Sequence, residues 1–309
     1  MLVVGEVHTG LLRGRDPATL EESRRFVDLV AGEPVLVSQR PISYVRSPAV
    51  PMGVDCTLVP GGTFRQTRGV GTVLHRAAIT GGHVLQGSAW TTLESARGSA
   101  RQSWSHYLVR PGVVEVLGRV KWSELATSFA GLDRPDTTLD LGAVAARALD
   151  GVQRETARPG ATRLRSARTR VRWIAQSGDA AAPVRFVLRR TDLRVIHLTA
   201  TGLSAADLAG LCEDIALHDW LLTTLIEAVR KAAPGVLARD EALRRLAPVI
   251  DYLLHLWMPD ARGDDFSALV WASLEARPGF TRQWETLVRR IRDQLSAGAV
   301  ASLAAAGPR

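Results

Sequence analysis

Residues 211–222 read LCEDIALHDWLL and place a cysteine, three acidic residues, a histidine and a tryptophan within twelve positions. They lie in a segment, 204–231, whose apolar residues recur at the spacing of about 3.6 residues that is typical of a helix. The predicted apolar stripe consists of Leu208, Leu211, Ile215, Leu222, Ile226 and Val229. The spacing therefore predicts one long helix with polar groups on both flanks of a buried stripe.

The polar residues of this helix raise a metal-binding alternative. Asp214 and His218 stand four residues apart on one flank, a spacing that suits either chelation or a hydrogen bond. Asp251 and His255 repeat that spacing on the next predicted helix, so these four residues form the candidate metal set. Both pairs lie beside the apolar stripes, and helices that pack through those stripes would not bring the pairs together.

A hydrolase of the HD type is the related alternative. His218 and Asp219 resemble the adjacent His-Asp of HD phosphohydrolases, and Asp251 would supply the downstream acid. An adjacent His-Asp pair is common by chance, and the nearby upstream histidine, His197, falls on a predicted strand. A metal-dependent hydrolase with these three catalytic residues is therefore kept as an alternative to a protein without catalytic residues, metal or cofactor.

Leu217, Trp220 and Leu221 point away from the main stripe of the predicted helix. The helix is thus apolar around most of its circumference. Such a helix is either central in its bundle or covered by another protein chain. We therefore expect these three residues to form a central packing element or an interface with a partner.

The rest of the chain divides at this helix. Prolines, alternating apolar residues and turn signals favour strands before it, with helices that begin at the N-cap residues Thr19 and Asp140. Gly81-Gly82 is predicted as a two-residue hairpin turn that pairs Thr80 with His83. Further helices are predicted over about 237–257, 264–276 and 280–302. The predicted fold is α+β: a β-rich α+β domain over residues 1–203 and an all-helical domain over residues 204–309.

The net charge of the chain is concentrated in residues 158–197. This segment has ten arginines and two acidic residues, a formal charge of +8, which equals the net charge of the whole chain. Its alternation predicts an antiparallel meander over about 163–200 with one apolar face and one arginine face. The predicted anion- or partner-binding residues of that face are Arg168, Arg170, Arg172, Arg185 and Arg189.

The arginine face narrows the class of partner. Clustered arginines raise the local positive potential, so we expect the face to bind an acidic protein or another polyanion. No aromatic residue shares the face, so the base-stacking platform of single-strand binders is missing. A nucleic-acid-binding protein is therefore a further alternative, and a protein partner is favoured.

Composition bears on the compartment. The 46% hydrophobic and 23% charged residues are ordinary for a globular protein. Cys56 and Cys212 form no CxxC motif, which argues against a disulfide framework. No apolar run approaches the roughly 18–20 residues that a transmembrane helix requires, and residues 1–16 lack the pattern of a signal peptide. We expect a cytoplasmic protein with no membrane partner.

Four stretches of the chain are distinctive: GVDC (53–56), GGHVLQGSA (81–89), WSHYLVRPGVVEVLGRV (104–120) and LCEDIALHDWLLTTL (211–225). Together they resemble a family of uncharacterised actinobacterial proteins. The resemblance implies a cytoplasmic component encoded beside a variant P-loop protein and a methyltransferase-like protein, and it implies no activity and no catalytic residues. The predicted function is a non-catalytic, partner-binding component of a multiprotein system, with that P-loop protein as one candidate partner.

Overall fold

A computed structural model describes the chain over eight ranges: 2–39, 41–59, 67–131, 138–156, 164–178, 183–232, 239–261 and 263–305, with side chains left out for 239–240 and 297–305. The strands of the described residues are β1 (Leu2–Leu11), β2 (Leu36–Ser38), β3 (Tyr44–Arg46), β4 (Val50–Leu58), β5 (Thr67–Thr80), β6 (Val84–Ser95), β7 (Val113–Leu117), β8 (Thr169–Gln176), β9 (Val184–Leu188) and β10 (Leu193–Thr199). All of them belong to one sheet.

The helices of the same residues are α1 (Leu20–Phe26), α2 (Trp104–Leu108), α3 (Trp122–Ala130), α4 (Leu141–Glu155), α5 (Ala205–Ala232), α6 (Arg239–Tyr252), α7 (Asp265–Ala276) and α8 (Phe280–Ala305), with a short 3-10 helix over Leu254–Leu256. The predicted N-caps are confirmed. The Thr19 side chain accepts a hydrogen bond from the Glu22 N–H, and Asp140 accepts one from the Ala143 N–H. The α+β class is confirmed as a strand-rich first part followed by four helices.

The strand order along the sheet is β2-β3-β5-β7-β6-β1-β8-β10-β9, and β4 pairs with β5 outside this path. Neighbouring strands are antiparallel except for two parallel pairs, β6 with β7 and β8 with β10. The predicted hairpin joins β5 to β6, but its turn includes His83, so Thr80 pairs with Val84 rather than with His83. Gly81 and Gly82 both have positive φ, of 59° and 67°, which glycine adopts without a steric penalty.

The sheet is covered by helices on both faces. α3 and α4 pack on one face, and α5 packs on the other against β1, β6 and β8. A side chain at Gly87 of β6 would collide with the Ala145 carbonyl oxygen, so this glycine permits the close approach of α4. α6 and α8 pack against α5 in turn.

The hydrophobic core is continuous across the predicted domain boundary at residue 203. One cluster of buried side chains includes Trp90 and Trp173 of the sheet together with Trp220 of α5 and Trp271 of α7. The boundary falls in the loop before α5. The division into two domains stays a prediction.

The predicted meander over 163–200 has a different connectivity. β8 does not pair with β9; β10 lies between them, parallel to β8 and antiparallel to β9. The predicted meander pairs β8 with β9 because the two strands are consecutive in the sequence. In the structure, β9 instead forms one strand position away from β8, and β10 then fills the position between them. Consequently β9, and not β10, is the edge strand of the described sheet.

No helix of the described ranges combines the length and apolar content that crossing a membrane requires.

Candidate functional site

The polar groups of 211–222 are distributed to several partners, beginning with Glu213. Glu213 is buried between α5 and the sheet, and its carboxylate accepts hydrogen bonds from Nε and Nη2 of Arg76 at 2.7 and 2.8 Å. The Ser88 hydroxyl also donates to its carboxylate, and Gln86 donates to its backbone carbonyl at 2.9 Å. The guanidinium of Arg76 lies 4.7 Å from the ring centre of Trp90. This network joins α5 to β5 and β6.

A second buried ion pair joins the same helix to the other half of the sheet. Asp219 of α5 contacts Nε of Arg194 on β10 at 2.8 Å, and both side chains are buried. Arg194 also donates to the Thr191 carbonyl at 2.6 Å and to the Thr223 hydroxyl at 2.8 Å. Burial raises the pKa of the Asp219 carboxyl to about 6, while the positive charge of Arg194 acts in the opposite direction.

His218 is held by backbone groups on both of its ring nitrogens. Nδ1 lies 2.8 Å from the Asp214 carbonyl oxygen, and the Met258 N–H donates to Nε2 at 3.2 Å. An N–H that points at Nε2 requires a lone pair there, so the geometry places the ring proton on Nδ1. The predicted proximity of Asp214 and His218 is confirmed at 3.3 Å, but the Asp214 carboxylate also accepts from Nε1 of Trp271. The pair therefore forms part of the packing of α5.

The candidate metal set of Asp214, His218, Asp251 and His255 is not assembled. Asp251 and His255 are exposed, at the end of α6 and in the short helix after it. Across the residues that the structure describes, no group of three or more His, Cys, Asp or Glu side chains is arranged to hold a metal ion. The HD-type set fails for the same reason, since Asp219 is bonded to an arginine and Asp251 faces outward.

Leu217, Trp220 and Leu221 are buried by the chain itself, so the interface alternative for these residues is corrected to the central-packing one. Trp220 is fully buried, and its Nε1 donates to the Ala167 carbonyl at 3.0 Å. The segment before β8 covers the indole. Helical spacing predicted an apolar second face of α5 but could not identify the segment that covers it.

Three of the five predicted face arginines bond to acidic residues of the chain. Arg168 lies 2.7 Å from Asp150 of α4, and Arg170 lies 2.7 Å from Asp192. These two ion pairs are partly exposed.

Arg172 is buried between the sheet and α3. Its Nε donates to Glu6 of β1 at 2.9 Å, and its Nη1 donates to the carbonyls of Phe129 and Gly131. Burial acts to raise the pKa of Glu6, but His8 and Arg172 lower it to about 2. The prediction that Arg172 faces a partner is therefore corrected, since the strand alternation that identified the face could not reveal that α3 and α4 cover it.

Arg185 and Arg189 are the two face arginines that remain available. Arg185 lies on β9 and Arg189 directly follows the strand; both are exposed, and neither forms an ion pair with a described acidic residue. Arg185 pairs with His197 of β10 across the strands, on the same face of the sheet. The pKa of His197 is lowered by burial and then by the charges of Arg185 and Arg189. The two arginines place positive charge at this end of the sheet.

The outer side of β9 has open backbone groups. The Pro183 carbonyl accepts from the Thr199 N–H, and the Arg189 N–H donates to the Leu193 carbonyl. In an antiparallel strand, the backbone N–H and C=O groups of successive residues point in alternate directions. The groups of Val184, Phe186 and Leu188 therefore point away from β10, to the side of β9 that has no neighbouring strand. No hydrogen bond from a described residue reaches them there.

A separate cavity of about 370 Å³ lies between α5 and the strands β2, β3 and β5. Its polar lining includes Arg76 and Glu213 together with Tyr44, Arg46 and Thr80. Sequence reasoning did not single out these residues. A signal was present for Glu213, since its spacing from Leu217 and Trp220 places it on the second apolar face of α5, where an acid requires a buried partner.

Comparison of the chain with known protein families, with curated proteins and with solved structures gave no match in any of the three.

Proposed function

We propose that the protein is a non-catalytic, partner-binding component of a multiprotein system and that it binds an acidic, extended protein segment along β9. The observation that carries this proposal is the exposure of Arg185 on the edge strand β9 and of Arg189 directly after it, without ion pairs to the described acidic residues. An edge strand with open backbone groups accepts an added strand from a partner, and the arginines select its charge.

The two faces of β9 specify the partner segment further. Arg185 lies on one face, Phe186 and Leu188 lie on the other, and Arg189 directly follows the strand. Leu188 is 64% exposed, while Phe186 packs against Phe280 of α8. A segment in which acidic and apolar residues alternate would place its carboxylates beside the arginines and its apolar side chains beside Leu188.

The partner in this proposal is a protein, and the P-loop protein implied by the family resemblance is a candidate. Single-stranded nucleic acid would also meet the positive potential near His197. However, β9 contributes no aromatic side chain to the face that carries Arg185, and His197 on the neighbouring strand is partly buried, so stacking would add little to phosphate contacts. A protein segment uses the open backbone groups of the edge as well as the charge.

The experiment is a comparison of three labelled ligands by fluorescence anisotropy. The first is a nine-residue peptide of alternating glutamate and valine, the second has lysine for each glutamate, and the third is a twelve-nucleotide single strand of DNA. We expect the glutamate peptide to bind at least tenfold more tightly than either other ligand, and its binding to weaken with salt. Equal or tighter binding of the DNA, or equal binding of the lysine peptide, would contradict the proposal.

A further inference from the structure

The cavity beneath β3 is large enough for a small organic molecule. Its volume of about 370 Å³ falls within the range of about 300–1,000 Å³ that is usual for small-molecule sites. Gly210 of α5 lies on one wall, where the lack of a side chain leaves space. The cavity lies between α5 and β3, whereas β9 is at the opposite end of the sheet. The site is thus independent of the proposed partner surface.

Part of the lining is apolar. The side chains that form this part include Leu36, Pro41, Ile42, Leu217, Met258 and Ala261. They come from the β2–β3 region, from α5 and from the loop after the short 3-10 helix. Such a surface favours a ligand with an apolar body.

The charged groups of the lining are divided between two walls. Arg76 and Glu213 neutralise each other through their two hydrogen bonds. Arg46 on β3 forms no ion pair with a described acidic residue. On the opposite wall, α5 contributes Asp207 and Asp214. The charge that remains is therefore positive on the strand wall and negative on the helix wall.

Both acidic groups of the helix wall retain capacity to accept hydrogen bonds. Asp207 accepts from the Ser204 hydroxyl at 2.6 Å, and Asp214 accepts from Trp271 Nε1 at 3.1 Å. A carboxylate has about four acceptor positions, so each can also accept from a ligand ammonium group.

The strand wall also presents two hydroxyl groups. Thr80 of β5 is 3% exposed, and its Oγ1 has no hydrogen-bond partner among the residues that the structure describes, although it lines the cavity. Tyr44 pairs with Thr80 across the strands and stands two residues from Arg46, on the same side of β3. Burial, and then the charge of Glu213, raises the pKa of Tyr44 to about 12, so its phenol remains a donor. A buried hydroxyl without a partner is unusual in a folded protein, and a bound ligand would satisfy it.

We infer that this cavity binds a small zwitterion with an apolar side chain, of the class of a free amino acid or dipeptide. Arg46, Tyr44 and Thr80 receive its carboxylate, and Asp207 receives its ammonium group. The apolar lining contacts its side chains. A ligand with only a negative charge would be repelled by the carboxylates of Asp207 and Asp214. A ligand with only a positive charge would leave Arg46 and the Thr80 hydroxyl without a partner.

The test is isothermal titration calorimetry of the full chain with L-leucine, L-leucyl-L-leucine, N-acetyl-leucyl-leucine and leucyl-leucinamide. We expect at least one of the two zwitterions to bind. Each capped form lacks one of the two charged groups and its charge-assisted hydrogen bonds, so each should bind about tenfold more weakly or worse. Absence of binding by both zwitterions would overturn the inference, as would a capped form that binds as well as the dipeptide.

Variants locate the site and separate binding from folding. Arg46→Gln, Asp207→Asn and Thr80→Val should each weaken zwitterion binding severalfold or more, while the exposed Arg119→Gln serves as the matched control. Circular dichroism establishes that each variant is folded. Unchanged affinity in all three cavity variants would place the ligand elsewhere and overturn the inference, whatever the outcome of the peptide experiment on β9.

Discussion

Replacement of Glu213 by glutamine should strongly destabilise the fold. The substitution preserves the size of the side chain but removes the charge that compensates Arg76, which is 5% exposed in its side chain. Arg76 then remains a buried cation with two of its hydrogen bonds, of 2.7 and 2.8 Å, directed at a neutral group. Removal of one partner of a buried ion pair costs about 3–5 kcal/mol, and we expect the free energy of unfolding to fall by that amount. Urea unfolding followed by tryptophan fluorescence measures it.

Two further variants make this prediction refutable. Lys121→Gln removes an ion pair to Glu124 whose lysine is 80% exposed, and it should change stability little. The double variant Arg76→Met with Glu213→Leu removes both buried charges, so it should be less destabilised than the sum of its single variants. If Glu213→Gln loses no more stability than Lys121→Gln, or if the double variant is simply additive, the reasoning on this buried pair is wrong.

Two other predictions concern titration. The pKa of Glu6 is about 2 in the folded chain against 4.5 ordinarily, so its stabilising contribution is complete above about pH 4.5 and is lost as the pH falls toward 2. Each pKa unit corresponds to about 1.4 kcal/mol. Between pH 5 and pH 2 the free energy of unfolding, measured with urea, should therefore fall by about 3 kcal/mol more in the wild type than in Glu6→Gln. Equal losses in the two proteins would contradict the prediction. The pKa of His197, measured by NMR, should rise when Arg185 and Arg189 are both replaced by glutamine, because their charges lower it; an unchanged value would show that they do not act on this imidazole.

Local patterns in the sequence predicted three of the four helices after residue 203 closely, while the helix predicted over about 237–257 is observed as Arg239–Tyr252, followed by the 3-10 helix Leu254–Leu256. The predicted helix 204–231 is observed as Ala205–Ala232, and the last two predicted helices are observed as Asp265–Ala276 and Phe280–Ala305. Apolar spacing and the Pro-Gly breaks determine these elements, and both signals lie within the segment itself. The order of strands in the sheet depends on pairing between distant segments, which no local pattern contains.

The same distinction explains the outcome for the candidate sites. Alternation correctly placed Arg170 and Arg172 on one face of β8, but the partner of Arg172 is Glu6, which is 166 residues away in the sequence. Periodicity identifies a face and cannot tell whether another helix covers it. The Thr80 pairing was missed for a related reason, since a third residue in the turn shifts every pair of the hairpin by one.

The most direct test of partner binding along β9 is the affinity of the alternating glutamate–valine peptide for two matched double variants. One variant replaces Arg185 and Arg189 by glutamine, and the other replaces Arg168 and Arg170, which already bond to acidic residues of the chain. Both variants remove the same formal charge. The account predicts at least a tenfold loss of affinity and a weaker salt dependence for the first variant, with little change for the second. Equal losses in both variants, or no loss in the first, would contradict it.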